Sequence, residues 1–144
     1  MSVLTIERRF SAAPETVFAY LTGNRNLLEW WGPEGMSLRA EHLDLSRPGP
    51  WSSSLVNAEG GIHKMSGEVI AVEPPKFVEF TWGWHNDRDE RGHESVVRFE
   101  IEPADAGGTR FVLVHSGLPD EDSVTNHGKG WTSALRKLER LANP

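Results

Sequence analysis

The last stretch of the chain constrains its fold most. Across residues 122–142 apolar side chains fall at Val124, Trp131, Ala134, Leu135, Leu138, Leu141 and Ala142, the spacing of one helical face. Lys129, Arg136, Lys137 and Arg140 take the other side. Asp120, Glu121, Asp122 and Ser123 precede the pattern as acids and caps, the order a helix dipole favours. The pattern predicts one long amphipathic helix. Gly128 and Gly130 interrupt it, each at a cost of roughly 1 kcal/mol against alanine. Their presence predicts a close approach of this turn to another layer, with a side chain there colliding. His127 and Trp131 are four apart and lie on that approaching face. Upstream the chain reads mostly as short strands, so the helix is expected to be the lid of a sheet.

The strands show as period-two alternation. Leu4, Ile6 and Phe10 form a first strand, and Arg8 on the same parity should sit at its end or pair with an acid. Ser11 as cap and Pro14 in the first turn then predict a short helix buried through Val17, Phe18 and Leu21. A second short helix is expected over 25–30, carrying Leu27, Leu28 and Trp30 and leading to Trp31, with Gly32-Pro33 ending it. Leu38, Ala40 and His42 suggest a strand of low regularity, and 51–56 the next. His63, Met65, Gly67 and Val69 share one parity in a longer strand. Val78, Phe80, Trp82 and Trp84 make the cleanest alternation, followed by Val97, Phe99 and Ile101, then by Phe111, Leu113 and His115. Segments 58–61, 73–76 and 104–108 read as turns, and 85–93 as a charged, solvated hairpin loop.

At 144 residues the chain is expected to be one domain, 1–144. Its net charge of −6, without any basic stripe, argues against nucleic acid or an anionic membrane as partner. The lack of cysteine excludes disulfides and thiol chemistry and fits a cytoplasmic protein. The first residues hold no apolar run of the length a signal peptide or membrane span needs. One strand, two short helices, about six further strands and a long helix predict an α+β chain. Its curved antiparallel sheet of six to seven strands should have the C-terminal helix over the concave face. A sheet that bends more than the helix fills predicts a cavity between them.

Five stretches also resemble a known family. They are Arg8-Arg-Phe-Ser-Ala-Ala-Pro-Glu-Thr-Val-Phe18, Trp30-Trp31-Gly-Pro, Gly67-Glu-Val with Glu73-Pro-Pro-Lys-Phe-Val-Glu-Phe-Thr-Trp82, Gly108-Thr-Arg-Phe-Val-Leu-Val-His-Ser-Gly117 and Gly128-Lys-Gly-Trp-Thr-Ser-Ala-Leu135. Together they resemble the START-like (SRPBCC) superfamily, whose fold is the helix-grip of Bet v 1-like proteins. The branch most resembled is the bacterial one named for the activator of the heat-shock protein 90 ATPase. The resemblance covers essentially the whole chain and implies the helix-grip fold. Members of the superfamily bind lipids, sterols, hormones or polyketides, and some are cyclases or dehydratases.

Parity places His63 and Met65 on one strand, Trp82 and Trp84 on the next, and Phe99 and His115 on the last two, all on the concave side. With His127 and Trp131 of the helix they are the expected lining of a ligand cavity. Inward imidazoles are more polar surface than a dry core holds, so water or a ligand is their expected partner. His63, His115 and His127 come from separate elements without a closely spaced pair, so no metal site is indicated. No Gly-x-Ser-x-Gly elbow is present, and Ser52, Ser53 and Ser54 lie in an ordinary strand, so no Ser-His-Asp arrangement is indicated. The glycine pairs are hairpin turns, and no cofactor follows from them.

The reading favoured is a binding protein for a small apolar, aromatic or lipid-like ligand, more a binder than an enzyme. One alternative is a cyclase or dehydratase using His115 or His127 as general acid or base. Another is co-chaperone-like contact with a heat-shock ATPase, for which the sequence offers no support beyond the resemblance.

Overall fold

β1 (Ser2–Phe10) leads into two short helices, α1 (Pro14–Thr22) and α2 (Asn24–Leu27). Six more strands follow: β2 (Ser37–His42), β3 (Gly49–Val56), β4 (Ile62–Glu73), β5 (Phe77–His85), β6 (Arg91–Pro103) and β7 (Thr109–Leu118). α3 (Glu121–Ala142) closes the chain. This computed structural model describes residues 1–143, the side chains of Ala40, Glu41 and Ala106 excepted, so the inward parity expected of Ala40 lies outside the described residues.

The strands form one antiparallel sheet in the order β1-β7-β6-β5-β4-β3-β2. The two helices carry the chain from β1 at one edge to β2 at the other. Hairpins then bring it back until β7 pairs with β1. Register sets the buried face: Leu4 stands opposite His115, Ile6 opposite Leu113, Phe99 opposite Leu113 and Val78, and Phe80 opposite Val97. α3 lies across that concave face in the helix-grip arrangement. Its first turn is capped by Asp120, whose carboxylate accepts from the Ser123 N–H at 2.8 Å. Among the described residues no helix is long and apolar enough to cross a membrane.

Arg8 has inward parity, and it ends beside α3 with its Nε 3.1 Å from Glu139 Oε1. Three local expectations are corrected. Ala13, not Ser11, is the N-cap of α1, without a side-chain bond. Ser11 instead donates its N–H to Asn143 Oδ1 at 2.7 Å, beside the bond from the Ala12 N–H to the Ala142 carbonyl, so the turn after β1 holds the end of α3. α2 ends at Leu27 and not at Trp30, because the chain turns to bury both indoles, leaving Leu28 45% exposed. His42 faces solvent, since the β2–β3 register shifts after Ala40.

The glycines act differently from expectation. Gly128 and Gly130 do not mark a clash: an added Cβ would lie 3.6 Å from Leu4 Cδ1 and 3.8 Å from Pro33 Cγ, ordinary contact distances. Gly67 is the crowded one, for a Cβ there would lie against the Thr81 carbonyl at less than bonding-free distance. Its bare backbone lets the Trp51 indole, on the neighbouring strand, donate to that same carbonyl at 3.0 Å. Gly67 therefore serves strand packing and adds no volume under the helix.

Candidate functional site

A cleft of about 520 Å³ opens where the first half of α3 passes over the sheet. α3 supplies Asn126, His127, Gly130, Trp131 and Ala134, and β5 supplies Trp82 and Trp84. Leu55 and His63 come from the β3–β4 hairpin. Trp31, Gly32, Pro33 and Met36 come from the segment between α2 and β2. Among the described residues no Asp, Glu, Lys or Arg lines it.

Of the eight expected lining residues, His63, Trp82, Trp84, His127 and Trp131 reach the cleft, whereas Met65, Phe99 and His115 do not. The reason is Trp131. Its ring stands edge-on to Phe99 at 5.8 Å and lies 6.2 Å from His115, closing the floor over both. Met65 lies behind Trp31, whose Nε1–H donates to Ser53 Oγ at 3.1 Å, while Ser53 donates to Met65 Sδ at 2.7 Å. His63 and Trp84 have inward parity but sit where the strands run out to the rim, and both are exposed, Trp84 by 40%.

His115 does not need water or a ligand. It is completely buried, and both ring nitrogens are occupied. The Trp131 Nε1–H donates to its Nδ1 at 3.1 Å, so the proton is on Nε2, which donates to Ser95 Oγ at 2.7 Å. Ser95 passes the chain on to the Trp82 carbonyl at 3.5 Å. Burial, and secondly the neighbouring His127, lower the His115 pKa to about 3. The His127 ring lies 4.4 Å away, centroid to centroid, and burial lowers its pKa as well. Its Nε2 accepts from the Trp84 indole at 3.4 Å. His115 and His127 are thus uncharged at neutral pH. Among the described residues no group of three or more histidines or carboxylates is placed to hold a metal ion.

The six indoles differ in one respect. Trp30 donates to the Tyr20 carbonyl, Trp31 to Ser53, Trp51 to Thr81, Trp84 to His127 and Trp131 to His115. The buried Trp82 Nε1–H, in a side chain 6% exposed on the cleft wall, has no hydrogen-bond partner among the described residues. An unsatisfied buried donor costs about 1–3 kcal/mol.

Sequence reasoning missed Trp31, which packs on Trp51, Trp82 and Trp131 at 5.7–5.8 Å and joins the cleft wall to the core. It lies in a turn, where periodicity has nothing to say; the Trp30-Trp31-Gly32-Pro33 string was the available signal. Gly32 seats this segment: its φ is +86°, and a Cβ would lie 2.5 Å from Leu55 Cδ2.

The model of the family described as Activator of Hsp90 ATPase homolog 1-like protein matches residues 11–143. The chain belongs to this family. A crystal structure of an AHSA1 protein from Silicibacter pomeroyi is 48% identical, covers 96% of each chain and has a TM-score of 0.92. A Chromobacterium violaceum protein, 23% identical over 100% of this chain and 99% of its own, superposes with a TM-score of 0.88 and shares the fold. A Mesorhizobium loti protein, 28% identical over 97% and 96%, has a TM-score of 0.68. No curated protein matches the chain. The Activator of Hsp90 ATPase homolog 1-like fold thus accounts for the helix and the sheet, while the cleft is read from this chain's own side chains.

Proposed function

We propose that the cleft binds a small, uncharged, largely aromatic molecule carrying a hydrogen-bond acceptor. The observation behind this reading is the Trp82 indole, a buried donor without a partner in a wall otherwise made of aromatic and aliphatic groups. The N–H itself is buried, so a carbonyl or ether oxygen would satisfy it as the Trp82 ring shifts toward the cleft, and the ring bearing that oxygen would lie among Trp31, Trp84 and Trp131. Charged ligands fit poorly, because the described lining residues offer no Asp, Glu, Lys or Arg as counter-ion. The volume, about 520 Å³, is in the range of small-molecule sites. A catalytic role for His115 loses its footing, since the ring is sealed under Trp131. The co-chaperone alternative rests on the family description alone.

The test uses a matched pair, naphthalene and 2-acetonaphthone, followed by tryptophan emission. Both should quench it, with the ketone binding more tightly. In Trp82→Phe, which keeps a ring and removes the N–H, the ketone's advantage should fall about tenfold, the worth of one hydrogen bond. Native mass spectrometry of freshly purified protein should show a retained molecule. No quenching by either probe, with no retained mass, would remove the reading.

A further inference from the structure

The outer face of the sheet carries a second group of interacting side chains. Ser66 of β4 pairs with Gly83 of β5, so Ser66 and His85, two residues beyond Gly83, project from the same outer face. Ser66 Oγ lies 2.6 Å from His85 Nε2, and His85 Nδ1 lies 2.8 Å from Asp89 Oδ1. Lys64 Nζ stands 3.2 Å from that same carboxylate oxygen. These contacts lower the Asp89 pKa, Lys64 first and His85 second. An ionised carboxylate only accepts, so His85 Nδ1 is the donor and its neutral Nε2 is left to accept from the Ser66 hydroxyl. The hydrogen-bond chain Ser66 to His85 to Asp89 is the arrangement of acyl-transfer enzymes, in which the imidazole takes the hydroxyl proton and the carboxylate orients the ring.

The tight hairpin loop supports this arrangement. Asp89 has a φ of +61°, a conformation that costs a non-glycine residue energy, and two bonds between Asn86 and the Asp89–Glu90 backbone hold it there. His85 is only 12% exposed, while Ser66 and His85 both line a cleft of about 590 Å³ separate from the aromatic one. Lys64 and Arg91 stand in the same cleft, and Arg91 fixes the Ser66 backbone by donating to its carbonyl from Nε at 3.3 Å and Nη2 at 3.1 Å. Sequence reasoning found no Ser-His-Asp arrangement because these residues follow no local motif; strand register alone brings Ser66 beside His85.

We propose that Ser66, His85 and Asp89 form a nucleophilic site on the outer face that takes an acyl group from a small carboxylic ester. Ser66 Oγ forms a bond to the acyl carbon as its proton passes to His85 Nε2. The carbon–oxygen bond to the alcohol then breaks, and His85 returns the proton to the departing alkoxide. Water attacks the acyl-serine next, gives its proton to His85, and Ser66 leaves with that proton as the acid is released. Ser66 sits within a paired strand, so no pair of backbone amides faces the developing oxyanion; the nearby positive charge is Arg91, whose guanidinium is held by the Ser66 carbonyl and by Glu94. The proposal stands apart from ligand binding in the aromatic cleft.

The experiment treats the full chain with diisopropyl fluorophosphate, in which Ser66 Oγ would displace fluoride from phosphorus, and locates the adduct by intact mass and peptide mapping. p-Nitrophenyl acetate provides a second readout. The expected result is a single adduct on Ser66 and a burst of nitrophenolate equal to the protein, both absent in Ser66→Ala. His85→Ala should slow labelling by about 100-fold or more, and Asp89→Asn by at least about tenfold. Circular dichroism confirms that each variant is folded, and if His85→Ala is not, His85→Gln and Asp89→Asn carry the comparison. An unmodified Ser66, or a Ser66 adduct forming as fast in the folded His85 and Asp89 variants, would overturn the proposal. The three side chains would then only fasten the hairpin loop to β4.

Discussion

The two halves of α3 do different work. From Trp131 onward Ala134, Leu135, Leu138 and Ala142 are buried, and the helix fills the concave face of the sheet. Before Trp131 no residue of the helix is buried, and two of the ten positions are glycine. The same face of the same helix is a core element at one end and a roof at the other. Trp131 is the boundary, with its ring on Phe99 and its N–H on His115. His115 and Trp131 satisfy one another on the packed side, whereas the Trp82 indole, whose buried N–H has no partner among the described residues, belongs to the cleft wall. Stability and binding should therefore separate along the helix.

The sharpest way to break that division is to shorten the boundary residue. Trp131→Ala should cost about 3–5 kcal/mol in urea unfolding, and Leu135→Ala about 2–5 kcal/mol. His127→Ala, one turn earlier, should cost less than about 1 kcal/mol. Equal losses on both sides of Trp131 would abolish the distinction.

A second effect comes from acid. His115 is held neutral, with a pKa of about 3 against an ordinary 6.5. As pH falls below 6.5 the unfolded chain takes up a proton that the folded chain refuses. The stability due to neutral His115 is thus complete above that pH and is lost progressively down to about 3, on the order of 3–5 kcal/mol in all. His127 adds to the loss in the same direction. Carboxylates titrate in the lower part of the window, so the comparison is with His115→Gln, whose unfolding midpoint should depend less on pH between 6.5 and 4.5 than the wild type's.

Smaller effects should fall on the open half. Trp84→Ala at the rim should weaken 2-acetonaphthone binding about 3–10-fold with little loss of stability, since one face of the ring already meets water. Gly128→Ala should raise stability by about 0.5–1 kcal/mol, because a Cβ there meets only Leu4 at contact distance. A loss on that substitution would reveal a crowding that the geometry lacks.

How far the sequence could be read follows from the same contrast. Phe80, Trp82, Phe99, Phe111, Leu113 and His115 were placed on the concave face by alternation alone, and they lie there because no register shift falls between them. Parity says nothing about where the helix ends, so His63 and Trp84 point the expected way yet reach the rim. Nor does it show what covers a residue, and His115 was expected in the cavity when Trp131 seals it off. Trp31 sits in an aperiodic turn, and Ser66, His85 and Asp89 meet through register. Those residues become neighbours only when the chain is folded.

The most direct test of the aromatic cleft is the indole region of a ¹H–¹⁵N spectrum, with the Trp82 signal assigned by comparison with Trp82→Phe. The account predicts a free indole N–H that moves downfield on adding 2-acetonaphthone and responds much less to naphthalene, while the Trp30 signal, bonded to the Tyr20 carbonyl in the packed core, stays in place. A Trp82 signal unmoved at saturating ketone, or one that moves alike with both probes, would contradict it.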